Sequence, residues 1–123
     1  MKIVTAIDSF KGSMTSIEAG HAAKEGILAA HPDAQVIIKP LADGGEGTTD
    51  ALIEGLNGKR IPLTVTGPFG DPISCYYGYL PETSTAVIEM AAAAGITLSD
   101  RHAPLTATTR GVGEMILDAV RRG

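Results

Sequence analysis

The sequence predicts an α/β fold, and three observations carry that prediction. Lys2 to Ile7 is a continuous apolar run rich in β-branched residues, the pattern of a strand buried on both faces. Val36-Ile37-Ile38 is a second, shorter run of the same kind. Each is followed by a polar loop and then by residues at helical spacing, and this strand-helix-strand-helix order marks a parallel sheet. Residues 1–60 therefore read as a Rossmann-like βαβα segment within a mostly parallel sheet with flanking helices.

The first strand ends in Asp8-Ser9-Phe10-Lys11-Gly12-Ser13. Thr15-Ser16-Ile17-Glu18 follows as a capping box, in which Thr15 caps the helix and Glu18 reaches back to it. The helix, to about Ala30, sets Ala19, Ala23, Ile27 and Ala30 on one stripe, and His31-Pro32-Asp33 stops it. After the second strand comes Leu41-Ala42-Asp43-Gly44-Gly45-Glu46-Gly47-Thr48-Thr49-Asp50. Glycine admits positive φ and close backbone approach, so amides here could face an anion at the start of the next helix. Asp43 and Glu46 could hold a metal, accept a hydroxyl proton, or cap that helix. The helix runs from about Thr48 to Leu56 and stops at Asn57-Gly58. Both polar loops follow strands, which is where open α/β sheets bind ligands, so they should share one edge.

Residues 61–105 change character. Ile61, Leu63 and Val65 alternate with polar residues, as do Ile73, Cys75, Tyr77 and Tyr79. Between them Gly67-Pro68-Phe69-Gly70-Asp71-Pro72 is dense in turn formers. This predicts a β-hairpin or small mixed sheet that opens a second unit, its tyrosines forming a packed face rather than a binding wall. Thr85 to Met90 reads as another strand, interrupted by Glu89, whose carboxylate needs a partner or the same polar edge. Residues 106–123 lead into a last helix with Val112, Met115, Ile116, Ala119 and Val120 on one apolar face.

At 123 residues the chain suits one modest core. Its net charge of −4, with acids and bases scattered and no Trp, argues against a nucleic-acid partner. One cysteine, Cys75, forms no internal disulfide, which fits a reducing compartment. The N-terminus runs straight into a strand, and no apolar run is long enough to cross a bilayer, so the reading is cytoplasmic with no membrane association. No Walker A sequence or dinucleotide fingerprint occurs, and His21, His31 and His102 lack metal-ligand spacing. Lys11 and Arg110 could neutralise a phosphate or carboxylate. Asp8 and Asp43 could take a proton from a hydroxyl or hold Mg²⁺ through water, with Ser9 and Ser13 as loop donors. These residues describe a polar edge for an anionic, hydroxylated small molecule and select no reaction.

Asp8 to Ser13 and Pro40 to Thr48 closely resemble segments of the glycerate kinase family of bacterial glycerate and glucarate catabolism. So do Val65-Thr66-Gly67-Pro68-Phe69-Gly70, Ile88 to Gly95, and Thr108-Thr109-Arg110-Gly111-Val112-Gly113. The five matches run along essentially the whole chain in the family's order. The resemblance implies ATP-dependent phosphorylation of D-glycerate with Mg²⁺, giving 2- or 3-phosphoglycerate. Asp43 would be the base or metal-linked carboxylate, with Asp8 second, and Lys11 would hold phosphate or the glycerate carboxylate. Gly44, Gly45, Glu46, Gly47, Thr48, Ser9, Ser13, Glu89 and Arg110 would bind substrate or phosphate. Family members are much longer, so the resemblance implies an N-terminal part, inactive by itself. The alternative is a non-catalytic module that folds and binds small anions. An exposed sheet edge would favour a homodimer.

Overall fold

The computed structural model describes residues 1–10, 12–101 and 103–123; Lys11 and His102 lie outside them. The α/β class holds, with the strands divided between two sheets. Strand β1 (Lys2–Thr5) pairs in parallel with β2 (Gln35–Ile38), in register from Lys2↔Gln35 to Thr5↔Ile38. Helix α1 (Ser16–Ala30) joins them. Its capping box forms: the Glu18 amide donates to Thr15 Oγ1 at 3.2 Å and the Thr15 amide to Glu18 Oε2 at 2.7 Å. Gly20 lies so near β2 that a Cβ there would stand 2.5 Å from Ile38 Cγ2, so a side chain would push α1 off the sheet.

Two expectations for this segment change. Strand β1 ends at Thr5 rather than Ile7, although the Lys39 amide donates to the Thr5 carbonyl (2.8 Å) and the Leu41 amide to that of Ile7 (3.2 Å). It is also buried on one face only, since Val4 is 55% exposed. A continuous apolar run cannot distinguish a strand covered on both sides from one with a single helix partner.

Helix α2 (Thr48–Gly55) ends where Asn57 turns left-handed (φ 51°) and the Gly58 amide returns to the Ile53 carbonyl at 2.8 Å. Strands β3 (Lys59–Thr66), β4 (Pro72–Leu80) and β5 (Thr85–Val87) form an antiparallel sheet in the order β3-β4-β5. Pro62 is tolerated in β3 because that strand is an edge. Alternation assigns the faces. Val65 and Tyr77 point into the core, with Ile61, Leu63, Ile73 and Cys75 packed around them. On the opposite face Gly78 admits α2: a Cβ there would stand 3.2 Å from Ile53 and 3.3 Å from Thr49.

The core closes with helix α3 (Ala91–Ala94), a 3₁₀ turn (Ile96–Leu98) and helix α4 (Arg110–Arg122). Ala93 and Met115 are fully buried against the sheet. Strand β5 is shorter than the predicted Thr85 to Met90, because Ile88 and Glu89 leave the sheet. The apolar face of α4 is also narrower than its spacing suggested. Val112, Met115 and Ala119 pack inward, whereas Ile116 is 50% and Val120 72% exposed. The sheet covers one line of the helix and leaves the flank open.

Candidate functional site

Parallel pairing sends both polar turns to the same end of β1 and β2, and Leu41 is hydrogen-bonded to Ile7 as the two chains leave the sheet. A cleft of about 480 Å³ opens there. Its described walls are Ser9, Phe10 and Gly12 to Met14 of the first turn, the first turn of α1, Leu41, Glu46 and Gly47 of the second turn, and Asp50 and Arg60. Phe10 and Met14 are joined by an isolated bridge. A cavity of similar size, about 500 Å³, lies between Pro68-Phe69, Ala94 to Ile96 and Ala107 to Thr109, where Arg101 sits 5.4 Å over the Phe69 ring. None of the described sequence candidates lines it.

The sequence candidates divide by position. Ser9, Ser13, Glu46 and Gly47 line the first cleft. Asp8 is exposed at its edge, with Oδ1 accepting the Ser9 amide at 2.6 Å. Asp43 is exposed and is not among the residues that line the cleft, with Oδ1 accepting the Gly45 amide at 3.0 Å. Thr48 closes that turn by donating its hydroxyl to the Gly45 carbonyl at 2.7 Å. Gly44 and Gly47 adopt φ of 99° and 89°, left-handed conformations that explain glycine at both positions. Lys11, the expected cation, lies outside the described residues. Arg110 is elsewhere: it opens α4 and pairs with Glu114 at 3.0 Å.

Glu89 has the clearest local role. Its Oε1 accepts the Gly47 amide at 3.2 Å and its Oε2 the Thr49 amide at 3.1 Å. These amides open α2, where no side-chain cap is present on the helix itself. A helix N-terminus concentrates unpaired N–H donors and positive dipole, and attracts an anion. Here the anion comes from the protein, delivered from the segment that follows β5. The Gly45 and Gly47 amides expected to meet a ligand are therefore already engaged, by Asp43 and Glu89. Glu89 ties the Asp43 turn to the core and fixes where the cleft's second wall stands.

A group absent from the sequence reading completes the wall. Arg60 donates through Nε (3.0 Å) and Nη2 (2.7 Å) to one oxygen of Asp50, and Tyr76 donates its hydroxyl to the other at 2.8 Å. The guanidinium also lies 5.0 Å over the Tyr76 ring. Nothing in the spacing of these residues announces the cluster, because it spans a helix and two strands. Alternation alone distinguishes Tyr76 from its neighbours, setting it on the face opposite the core-facing Tyr77. Burial, followed by the hydrogen bond to Asp50, pushes the Tyr76 hydroxyl up to about 12. The folded value exceeds the ordinary value of about 10, so the protonated form favours folding. That contribution is complete below pH ~10 and is lost as pH rises towards ~12. Urea titrations between neutral pH and pH 11.5 should show stability falling above pH 10, less steeply in Tyr76→Phe. Equal slopes in the two proteins would remove Tyr76 as a source of the alkaline loss.

Among the described residues no group of three or more His, Cys, Asp or Glu is placed to enclose a metal ion. Among them, too, no helix is long and apolar enough to cross a membrane.

Comparison with known proteins gives a consistent result. A family model described as "Glycerate kinase family" matches residues 3–123. The chain is 46% identical to a glycerate kinase of Bacillus subtilis strain 168 over 100% of its length. It is 43% identical to a glycerate 2-kinase of Escherichia coli K12, again over 100% of its length. It spans about a third of each of these relatives, 33% in both cases. A crystal structure of a candidate glycerate kinase 2 from Salmonella typhimurium LT2 superposes with a TM-score of 0.79 at 41% identity, covering 98% of this chain and 33% of that one.

Proposed function

Because this chain belongs to the glycerate kinase family, we propose that its cleft is the acceptor half of a phosphoryl-transfer site and takes D-glycerate. The observation that carries this reading is the convergence of the two polar turns on one rim, with hydroxyl donors from Ser9 and Ser13 and a carboxylate from Glu46 along the walls. A three-carbon hydroxy acid is small beside a 480 Å³ cleft, which leaves room for the transferred phosphate. Phosphoryl transfer depends chiefly on positioning and on stabilising charge, which is what such a rim offers.

ATP is the proposed phosphoryl donor. Mg²⁺ fits this donor set only as an ion shared with ATP phosphates, since no three-carboxylate cage is present among the described residues. Asp8 and Asp43 would hold it through water, and when bound it neutralises charge on the transferred phosphate. Asp43 is our candidate base, with one oxygen fixed by Gly45 and the other available to a glycerate hydroxyl. Lys11 would add positive charge at the first turn. The product is 2- or 3-phosphoglycerate, and the setting is cytoplasmic. A homodimer paired through an exposed sheet edge is the proposed assembly.

The test is ADP release from MgATP and D-glycerate, in a protein of the relatives' full length carrying this segment. Asp43→Asn should lower turnover by at least ~10²-fold, the scale of a lost acid-base group. Unchanged turnover would remove Asp43 from the chemistry. The chain spans about a third of its relatives, which favours a second reading for these 123 residues alone: binding without turnover. ADP release by the 123-residue chain at a rate matching full-length relatives would defeat that reading.

A further inference from the structure

We propose that Arg60, pinned by Asp50 and Tyr76, is the residue that grips the carboxylate of the hydroxy-acid acceptor. This rests on the assignment of the cleft as the acceptor site. Arg60 is the cation among the described residues that line the cleft. Asp50 takes its Nε and Nη2 edge, and Tyr76 fixes Asp50 from the other side while its ring underlies the guanidinium. Nη1 makes no hydrogen bond among the described residues, so the outer corner of the fork keeps donors for an incoming oxygen.

The arginine's own ion pair adds little to stability. The Arg60 side chain is 58% exposed, and an exposed ion pair contributes little to folding. Yet two residues, Asp50 and Tyr76, converge to hold one solvated guanidinium still. A free arginine side chain loses much rotamer entropy when it binds a ligand; this one is already ordered. A planar guanidinium also matches a carboxylate better than a lysine ammonium does. The carboxylates of Glu46 and Glu18 on the same cleft would repel an anion, and a fixed cation in that lining offsets them when an acid enters. Arg60 would therefore separate glycerate from neutral polyols of the same size.

The experiment is an amide NMR titration of the ¹⁵N-labelled chain with D-glycerate, glycerol and inorganic phosphate, on wild type, Arg60→Gln and Arg60→Lys. D-glycerate should shift the Gly12, Ser13 and Gly47 signals, and glycerol should not. Arg60→Gln should weaken D-glycerate at least ~10-fold, the scale of a charge-assisted hydrogen bond, with Arg60→Lys between the two and melting temperatures nearly equal. Cleft shifts that Arg60→Gln leaves undiminished overturn the role of Arg60 while the acceptor site stands. Glycerol binding as tightly as D-glycerate does the same. Phosphate binding more tightly than D-glycerate through Arg60 replaces the carboxylate grip with a phosphate grip. Absence of cleft shifts with D-glycerate overturns both readings.

Discussion

Gly111→Ala is expected to destabilise the fold by about 3 kcal/mol or more, at the upper end of overpacking penalties. Gly111 is buried in the first turn of α4, and a Cβ there would overlap the Thr66 carbonyl oxygen and stand 3.0 Å from Val65 Cγ2. The obstacle is backbone, so no rotamer change relieves it. Helix α4 would have to lift from β3. That movement strains the clasp one turn later, where Glu114 accepts the Thr66 amide at 2.7 Å and the Thr66 hydroxyl at 2.9 Å. It also opens the contact of Met115 with Val65 at the centre of the core. Gly113 is the internal control, because a Cβ there meets nothing within 4 Å. Gly113→Ala should stabilise by up to ~1 kcal/mol, the helix-propensity difference. Urea denaturation of the two variants measures both; a Gly111→Ala loss below ~1 kcal/mol would mean that α4 does not pack on β3 this closely.

Removing the Glu89 carboxylate should cost nearly as much. Glu89→Ala leaves the Gly47 and Thr49 amides without their acceptor, and hydrogen bonds to a charged group contribute ~1.5–3 kcal/mol each. Water can reach the turn and recover part of this, so the expected loss is about 3 kcal/mol in total. Glu89→Gln keeps an acceptor but no charge at the helix N-terminus, and should lose roughly half as much. Amide hydrogen exchange separates this from a general loosening: Gly47 and Thr49 should lose protection first, ahead of the strand amides of β3 and β4. If both amides keep their protection in Glu89→Ala, Glu89 is not what holds the α2 N-terminus. The consequence for the cleft is direct, since the turn that Glu89 anchors carries Glu46 and Gly47 into its wall.

The elements that the sequence declared were those whose cause is local. Thr15 and Glu18 are three residues apart, and that spacing suffices for the capping box that starts α1. Asn57-Gly58 stops α2 because few other residues take a left-handed turn cheaply. Alternation in Ile61 to Val65 and Ile73 to Tyr77 sufficed for the hairpin and its core face. The parallel order of β1 and β2 was also enough to send both polar turns to one end of the sheet.

What the sequence could not express was which polar groups pair with one another across the fold. Glu89 stood out as a carboxylate needing a partner, but its partners are amides some forty positions away in the chain, at the start of α2. Arg110 reads as a lone cation, and only the packed α4 sets its exposed side chain beside Glu114 and away from the cleft. Arg60 reads as an ordinary strand charge until Asp50 and Tyr76 close around it beside the cleft. Local rules govern where the chain turns, because they act through neighbouring dihedrals and one or two hydrogen bonds. The availability of a charge for a ligand depends on distances between separate elements, which are established only when the sheets and helices pack.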